Sequence, residues 1–557
     1  MSQKILVAQS IEELEYLILN INFFFRVLPL NLKTQIYCVE KKIDFIDLSN
    51  ILDNEIHKKI ILDADLLLKK IDYQKFTYSS INKDFKGWLR FRIYSYLFLN
   101  IVINKIDKIY PKSEIVVSGW DSLEDLFSSK NYFISGFIAN FYKKKITIVK
   151  KNKKIYSKLK TFDFKFQIKN KNDKPGIIIS NFGYNFKRIL FWSLKNKTKI
   201  IYFTFFKCSL FKKIIFKLLN IKLFEIKQTP SKNNLYIKKL LPKLVYSNQR
   251  FDNILIHQKT NLLTIFNTLI NKANSIKKIV LTNNIDLAIS NVSRGVDGCL
   301  LEISKKNKIK TVSIPHGTLS KHYNRYDQIY KKNISEAILD DYADFTASQS
   351  KIIDSFFASK KPKSKIIKTG NLIFNSNSQN TGTCILYAVT IKDFFNMQFI
   401  GVETYYEYYN NLFFLDKLAK KNRYKIIVKP HPTEFDCIEY LNRKFKNLHF
   451  TKEKNETLFK KVRATISFSS TIIEDSLCSS VPVILLDRWN RYKHCQSETN
   501  PLKISNIYYV NTEKNLLKCL QTIFNNNCNI FFKNKRNSKT NTNLNNFFSK
   551  INYEKKK

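Results

Sequence analysis

Along most of the chain, short runs of consecutive Val, Ile, Leu and Phe alternate with longer segments whose apolar residues recur at helical spacing. The runs predict strands at "KILVA" (4–8), "EIVVSG" (114–119), "GIIIS" (176–180), "KIIYFTF" (199–205), "KKIVLT" (277–282) and "KTVSI" (310–314). Further runs follow at "KIIKTG" (365–370), "CILYAV" (384–389), "YKIIVK" (424–429), "ATISFS" (464–469) and "VPVILLD" (481–487). Most are continuous rather than alternating, which is the pattern of strands covered on both faces. The segments between them are long enough for crossover helices. The expected class is α/β with parallel, doubly wound sheets.

At 557 residues the chain exceeds what one core organises. The polar run "NSNSQNTGT" (375–383) divides it into an N-terminal domain over 1–375 and a C-terminal domain over 376–535. A second polar stretch, "KNKNDKPG" (169–176), suggests a separate subregion over 1–170. The end, 536–557, reads as a basic, mobile tail with little core material. There is no internal repeat at a fixed period.

The formal charge of +50 raises nucleic acid or an anionic membrane as partners. Only 13 of the 95 basic residues are arginine, and Lys, Asn, Ile and Phe are enriched throughout, as an AT-rich coding sequence produces. A dedicated nucleic-acid binder would use Arg for bidentate contacts, so no specific nucleic-acid partner is expected. Attraction to anionic lipid or to a phosphorylated substrate stands whatever the origin of the charge. Nine cysteines are scattered singly with no CxxC pair, which fits reduced thiols rather than a disulfide framework or a zinc site. An acidic residue comes too early in "MSQKILVAQSIEELEYLI" for a signal peptide, and the greasiest windows ("SYLFLNIVI", "KIIYFTFF") fall short of the ~20 residues of a membrane span. The expected location is the cytoplasm, with peripheral contact at the inner membrane face.

Three motifs stand at strand ends. "KPHP" (429–432) follows a strand, and its two prolines stiffen the turn that carries His431. Ligands of open α/β sheets bind beyond the carboxyl ends of strands, where this imidazole lies. In "ISFSSTIIEDSLCSSVPVILLD" (466–487) a strand runs into Ser469, Ser470 and Thr471 and then a helix, whose start and hydroxyls suit an anion. Glu474 follows one helical turn past Ser470 and is within reach of a ribose diol. "VSIPHGTL" (312–319) brings His316, with Gly317 allowing close approach. The plainer alternatives are a rigid turn with a half-exposed His and an ordinary helix cap.

Taken in order, "IPHGT", "ADFTASQSKIIDSFFAS…KIIKTGN", "KIIVKPHP" and "SFSSTIIEDSLCSSVPVI" resemble the GT-B glycosyltransferases of bacterial surface-polysaccharide assembly. That broad group includes capsule enzymes, bacterial sialyltransferases and CDP-glycerol-type polyol-phosphate transferases. The resemblance covers about 310–487 and does not extend to the first 280 residues. It implies two Rossmann-like domains facing a cleft and a nucleotide-activated sugar as substrate, with no separate cofactor. It also implies that His431, Ser469 and Ser470 hold the donor's phosphates while Glu474 faces its ribose, with Lys429 and Thr471 beside them. One departure is Ser480, where a glycine often stands two residues before the proline of the last strand.

Glycosyl transfer needs a base for the acceptor hydroxyl and stabilisation of the departing phosphate. No carboxylate cluster has metal-binding spacing, so no obligatory metal is expected. For the base, "NVSRGVDGCLLE" (291–302) offers Asp297, which opens a predicted helix; the sialyltransferase acidic-acidic-Gly motif is matched here only by Val296-Asp297-Gly298. As a helix-start acid Asp297 has an equally plain structural use. His316 is the alternative base. Arg294, Gly317 and Asp121, at the end of "SGWD", are candidate substrate contacts. The function expected is sugar transfer to a surface-polysaccharide or lipid-linked glycan. Competing readings are a CDP-polyol phosphotransferase, a UDP-sugar 2-epimerase (which typically shows Ser-Gly-Gly where this chain has Ser-Ser-Thr), and a non-catalytic basic binding protein.

Overall fold

The computed structural model describes residues 3–21, 24–69, 77–120, 146–149, 160–164, 175–180, 185–205, 207–230, 259–315, 319–370, 382–391, 401–527, 530–532 and 543–551. Within them the strands form three sheets, whose central apolar strands are buried on both faces. The first holds β1 (Lys4–Ala8), β2 (Phe25–Pro29), β3 (Glu114–Val117) and β4 (Ile146–Ile148), parallel and in the order β2-β1-β3-β4.

The second sheet holds β5 (Lys160–Phe164), β6 (Gly176–Ile179), β7 (Lys199–Thr204), β8 (Ile221–Pro230), β9 (Ile285–Ser290), β10 (Lys310–Ser313), β11 (Phe345–Ser348) and β12 (Lys365–Lys368). Its order is β12-β11-β10-β9-β6-β7-β8-β5, parallel except for β5, which runs antiparallel to β8. The third sheet holds β13 (Cys384–Ala388), β14 (Ile426–Lys429), β15 (Leu448–Phe450), β16 (Val462–Ser467), β17 (Val483–Leu486) and β18 (Ile507–Val510), all parallel in the order β15-β14-β13-β16-β17-β18.

In the third sheet the chain winds outward from β13 to β15, returns, and winds the other way from β16 to β18. The second sheet does the same from β6 and from β9. Such reversals open a crevice beyond the carboxyl ends of the two central strands, between β13 and β16 and between β6 and β9. The protein is thus mixed α/β, with parallel sheets in Rossmann-like domains, as the sequence predicts.

The first sheet's body bridges the other two. Its long helix Ser79–Ile109 meets the helix Gly295–Lys306, where Ser80 N–H donates to Glu302 (3.2 Å). On the other side Tyr405 Oη donates to Pro29 O (2.6 Å). The window "SYLFLNIVI" lies inside the long helix, burying Phe98, Leu99, Val102 and Ile103 at helical spacing. Among the described residues no helix is long and apolar enough to cross a membrane.

Three expectations change. Residues 277–282 end the helix Lys259–Thr282 rather than forming a strand, because Ala273, Ile276 and Val280 share one buried face while Lys277 and Lys278 are exposed; the strand is β9, just beyond. The shift from the first to the second sheet falls between Ile148 and Lys160, ahead of the polar stretch 169–176, most of which lies outside the described residues. The terminal segment is not bare of core material. Its helix Asn543–Lys550 returns to the second sheet and, with Ile551, buries Phe547, Phe548 and Ile551 to 1% exposure, and Phe548 stacks on Trp192 at 3.6 Å. Two adjacent phenylalanines and an isoleucine four residues on from the first are enough to make a packing ridge.

Of the run 375–383, only Gly382 and Thr383 are described. A Cβ on Gly382 would lie 2.5 Å from the Lys461 and Val462 backbone, so only glycine lets the chain enter β13 pressed against the start of β16.

Candidate functional site

β14 ends at Lys429, and the chain turns through Pro430 to His431, which caps the 3-10 turn Pro432–Cys437. Thr433 N–H donates to His431 Nδ1 (3.3 Å), and Thr433 Oγ1 lies 2.8 Å from the same nitrogen. A ring nitrogen that accepts an N–H carries no proton, so the hydrogen-bond pattern assigns the proton of the neutral ring to Nε2. The half-buried imidazole is therefore a donor on its far edge, held at the carboxyl end of the strand beside β13. The two prolines fix the backbone on either side.

The neighbouring candidates are engaged by the chain itself. Lys429 Nζ donates to Glu453 O (2.6 Å) and Asn455 Oδ1 (2.5 Å) in the β15–β16 connection, and burial lowers its pKa. Ser469 Oγ donates to Gly401 O. Ser470 Oγ accepts from Ile472 N–H (3.3 Å), and Thr471 precedes a helix of only seven residues, Ile472–Cys478. Glu474 accepts from Ser350 Oγ, which caps the helix Lys351–Lys360 of the second sheet's body. Of the six residues expected around a nucleotide, His431 is the one whose ring is aimed by the turn; the serines brace the β16 turn, and Glu474 reaches across to the facing domain.

In the second sheet, Asp297 sits in the first turn of the helix Gly295–Lys306, just after β9. A Cβ at Gly298 would lie 2.6–2.7 Å from the Ser293 carbonyl, so the glycine after Asp297 lets the helix start close against the turn. The Asp297 carboxylate hydrogen-bonds Ser180, the residue after β6, and Ser180 Oγ lies 3.4 Å from Ser290 Oγ at the end of β9. Asp297 thus stands at the β6/β9 reversal. It is half-buried, with protein on most sides, and burial pushes its pKa up to about 6 against the opposing effects of Lys272 and Ser180.

Arg294 faces elsewhere. It donates to Asn333 O (3.1 Å) and lies 3.9 Å from Asp84 on the long helix, and burial lowers its pKa. His316 and Gly317 lie outside the described residues, beyond Pro315, whose carbonyl accepts from Gln349 (3.0 Å). Asp121 also lies outside them, immediately after Trp120.

The carboxyl ends of the second and third sheets meet. Besides Ser350–Glu474, Ser320 Oγ donates to His494 O (2.7 Å), Arg491 donates to Tyr330 Oη, and Ile352 packs with Ile473, Val483 and Leu485. Two parallel, Rossmann-like sheets thus face each other by their carboxyl ends, with the extra N-terminal sheet joined to both. A cavity of about 320 Å³ opens along the seam, lined among others by Lys58, Tyr323, Asp327, Arg491, Tyr492 and Tyr509.

Sequence reasoning missed the polar groups that hold the seam. Lys331 is fully buried, 2.9 Å from Asp327. His494 is buried beside Lys331 with its pKa pushed down to about 3. Arg491 is buried against Glu407. Glu407 had a local signal, the Thr404-x-x-Glu407 capping box, and Asp327 and Lys331 had the i,i+4 spacing of an ion pair. Glu403, also missed, accepts from Thr390 N–H and Oγ1 (3.0 Å each) and fixes the end of β13. Among the described residues no group of three or more His, Cys, Asp or Glu could hold a metal ion.

The strand orders define the class: a mixed α/β protein with Rossmann-like domains. No family model and no curated relative matches the chain. Among solved structures it is similar to the UDP-GlcNAc 2-epimerase of Methanocaldococcus jannaschii (14% identity, 68% of this chain and 100% of that one, TM-score 0.38). It is also similar to the wall teichoic acid polymerase TagF (13%, 68% and 85%, TM-score 0.31) and to the α,α-trehalose 6-phosphate synthase of Burkholderia multivorans (7%, 68% and 100%, TM-score 0.31). At such scores these likenesses carry nothing about activity or ligand.

Proposed function

We propose that this protein is a glycosyltransferase that moves a sugar from a nucleotide-activated donor to a glycan hydroxyl, the acceptor being a surface-polysaccharide or lipid-linked chain. The observation that carries the reading is a pair of groups: His431, fixed as an Nε2–H donor beside the reversal of one sheet, and Asp297, a carboxylate with a pKa of about 6 at the reversal of the facing sheet. The chemistry needs both kinds of group. The acceptor oxygen attacks the anomeric carbon and its proton passes to the Asp297 carboxylate. The bond from that carbon to the phosphate oxygen breaks, the electron pair leaves with the nucleotide, and His431 hydrogen-bonds the phosphate. Ser469, Ser470 and Thr471 line the turn next to it, and Glu474 would exchange Ser350 for a ribose hydroxyl.

Thermal unfolding of wild type and His431→Ala with CMP, CDP, UDP and GDP tests this. One nucleotide should stabilise the wild type, by about 2.7 kcal/mol at a hundred times its Kd, and the gain should vanish in His431→Ala. A CMP response indicates a sialic-acid-type donor, CDP a polyol phosphate, and UDP or GDP a hexose. Equal stabilisation of the variant removes His431 from the site. No response to any nucleotide overturns the transferase reading.

A further inference from the structure

We infer that the outer face of the helix Leu210–Leu218 docks on an anionic lipid surface. The helix links β7 to β8 and packs inward through Phe216. Its outward stripe is apolar: Leu210, Ile214 and Leu218 follow each other at four-residue intervals with Phe211 alongside, and three of these four side chains are more than 70% exposed. Phe191, 68% exposed, stands on the helix Asn185–Lys195, which packs on the same face of the sheet. A soluble surface normally scatters such residues singly rather than aligning them.

The charge around the stripe selects the partner. Residues 185–230 contain eleven Lys and Arg and one acid, Glu225, and that acid is paired with Lys213. The whole chain has 95 basic to 45 acidic residues, so this stretch is more one-sidedly basic than the chain as a whole. Lys217 is exposed beside the stripe, and Lys212 leans over the Tyr202 and Phe216 rings at 6.0 and 5.9 Å. An apolar stripe bordered by lysines is the chemistry of an interfacial helix on anionic headgroups. A second copy of this chain would instead set one such basic surface against another.

The helix begins six residues after the carboxyl end of β7, which lies next to β6 and therefore at the sheet edge where Asp297 stands. Docking would bring that crevice to the bilayer, where a lipid-linked acceptor would present its sugar; this consequence alone rests on the proposed function.

The test is co-sedimentation of the full chain with vesicles of phosphatidylcholine alone and with ~30% phosphatidylglycerol, for wild type, Phe211→Ser/Leu218→Ser and Lys212→Gln/Lys217→Gln. Wild type should partition onto the anionic vesicles in a salt-sensitive manner. The Phe211/Leu218 variant should bind at least ~10-fold less with an unchanged Tm, since each large apolar side chain withdrawn from lipid is worth about tenfold or more. The lysine variant should lose about fivefold per charge. The proposal is overturned if the Phe211/Leu218 variant sediments like wild type, if wild type ignores anionic vesicles, or if the stripe instead supports a lipid-free dimer that this variant abolishes. Nucleotide stabilisation of the same variants reports on the cleft separately, so failure of one reading does not mimic failure of the other.

Discussion

At the end of β9, a carboxylate is held between Ser180 and the cation of Lys272, and burial outweighs both in setting its pKa near 6. A general base works ionised, so turnover should rise with pH through about 6 and level off above it. Asp297→Asn should remove that inflexion and lower kcat by about 10²–10⁴-fold while nucleotide affinity holds. The pH profile of kcat in both proteins checks this, and a fully active Asn variant takes Asp297 out of the role. Its place at a helix start was legible in the Asp297-Gly298 pair, and Gly298 marks a backbone contact that a side chain would block. Ser480 carries a similar message: its φ of +55° shows that the backbone keeps the left-handed turn where the resembled family often has glycine, at a cost of about 1–2 kcal/mol. Lys429 holds a strand-end position too, and its four-carbon side chain finds acceptors in the next connection, Glu453 O and Asn455 Oδ1.

Elements were legible where an apolar run was short, continuous and closed by a turn residue. Such runs gave β1, β3, β6, β7, β10, β12, β13, β14, β16 and β17 in the sequence. Residues 277–282 failed because three adjacent apolar residues fit either a strand or one turn of a helix, and the face shared with Ala273 and Ile276 decides only when a longer window is read. The terminal helix failed because its flanks are Asn- and Lys-rich, and average composition hid Phe547, Phe548 and Ile551. Phe547→Ala and Phe548→Ala should each destabilise the second sheet's body by about 3–5 kcal/mol. Urea unfolding of the full chain measures this, and a loss below ~1 kcal/mol would mean the helix is not docked.

In the whole molecule, the second and third sheets are joined through groups from distant parts of the chain. Arg491, after β17, pairs with the Glu407 carboxylate (2.5 Å) and donates to Tyr330 of the other body. Arg491→Met should cost about 3–5 kcal/mol, because it strands a buried carboxylate, and Glu407→Gln added to it should recover part of the loss. Equal stability of the single and double variants, measured by thermal unfolding, would show that Glu407 does not depend on Arg491.

The sequence by itself determined the α/β class, most central strands, the strand-end position of His431 and the helix-start position of Asp297, because continuous hydrophobic runs, prolines and close-packed glycines act locally. Only the tertiary structure decided that the first sheet stands apart, that the terminal helix returns to the second, and that Ser350, Glu474, Lys331, Arg491 and His494 share one seam. Those pairings join residues tens to hundreds of positions apart, and their energy comes from burying charge and apolar surface together, which no local pattern records.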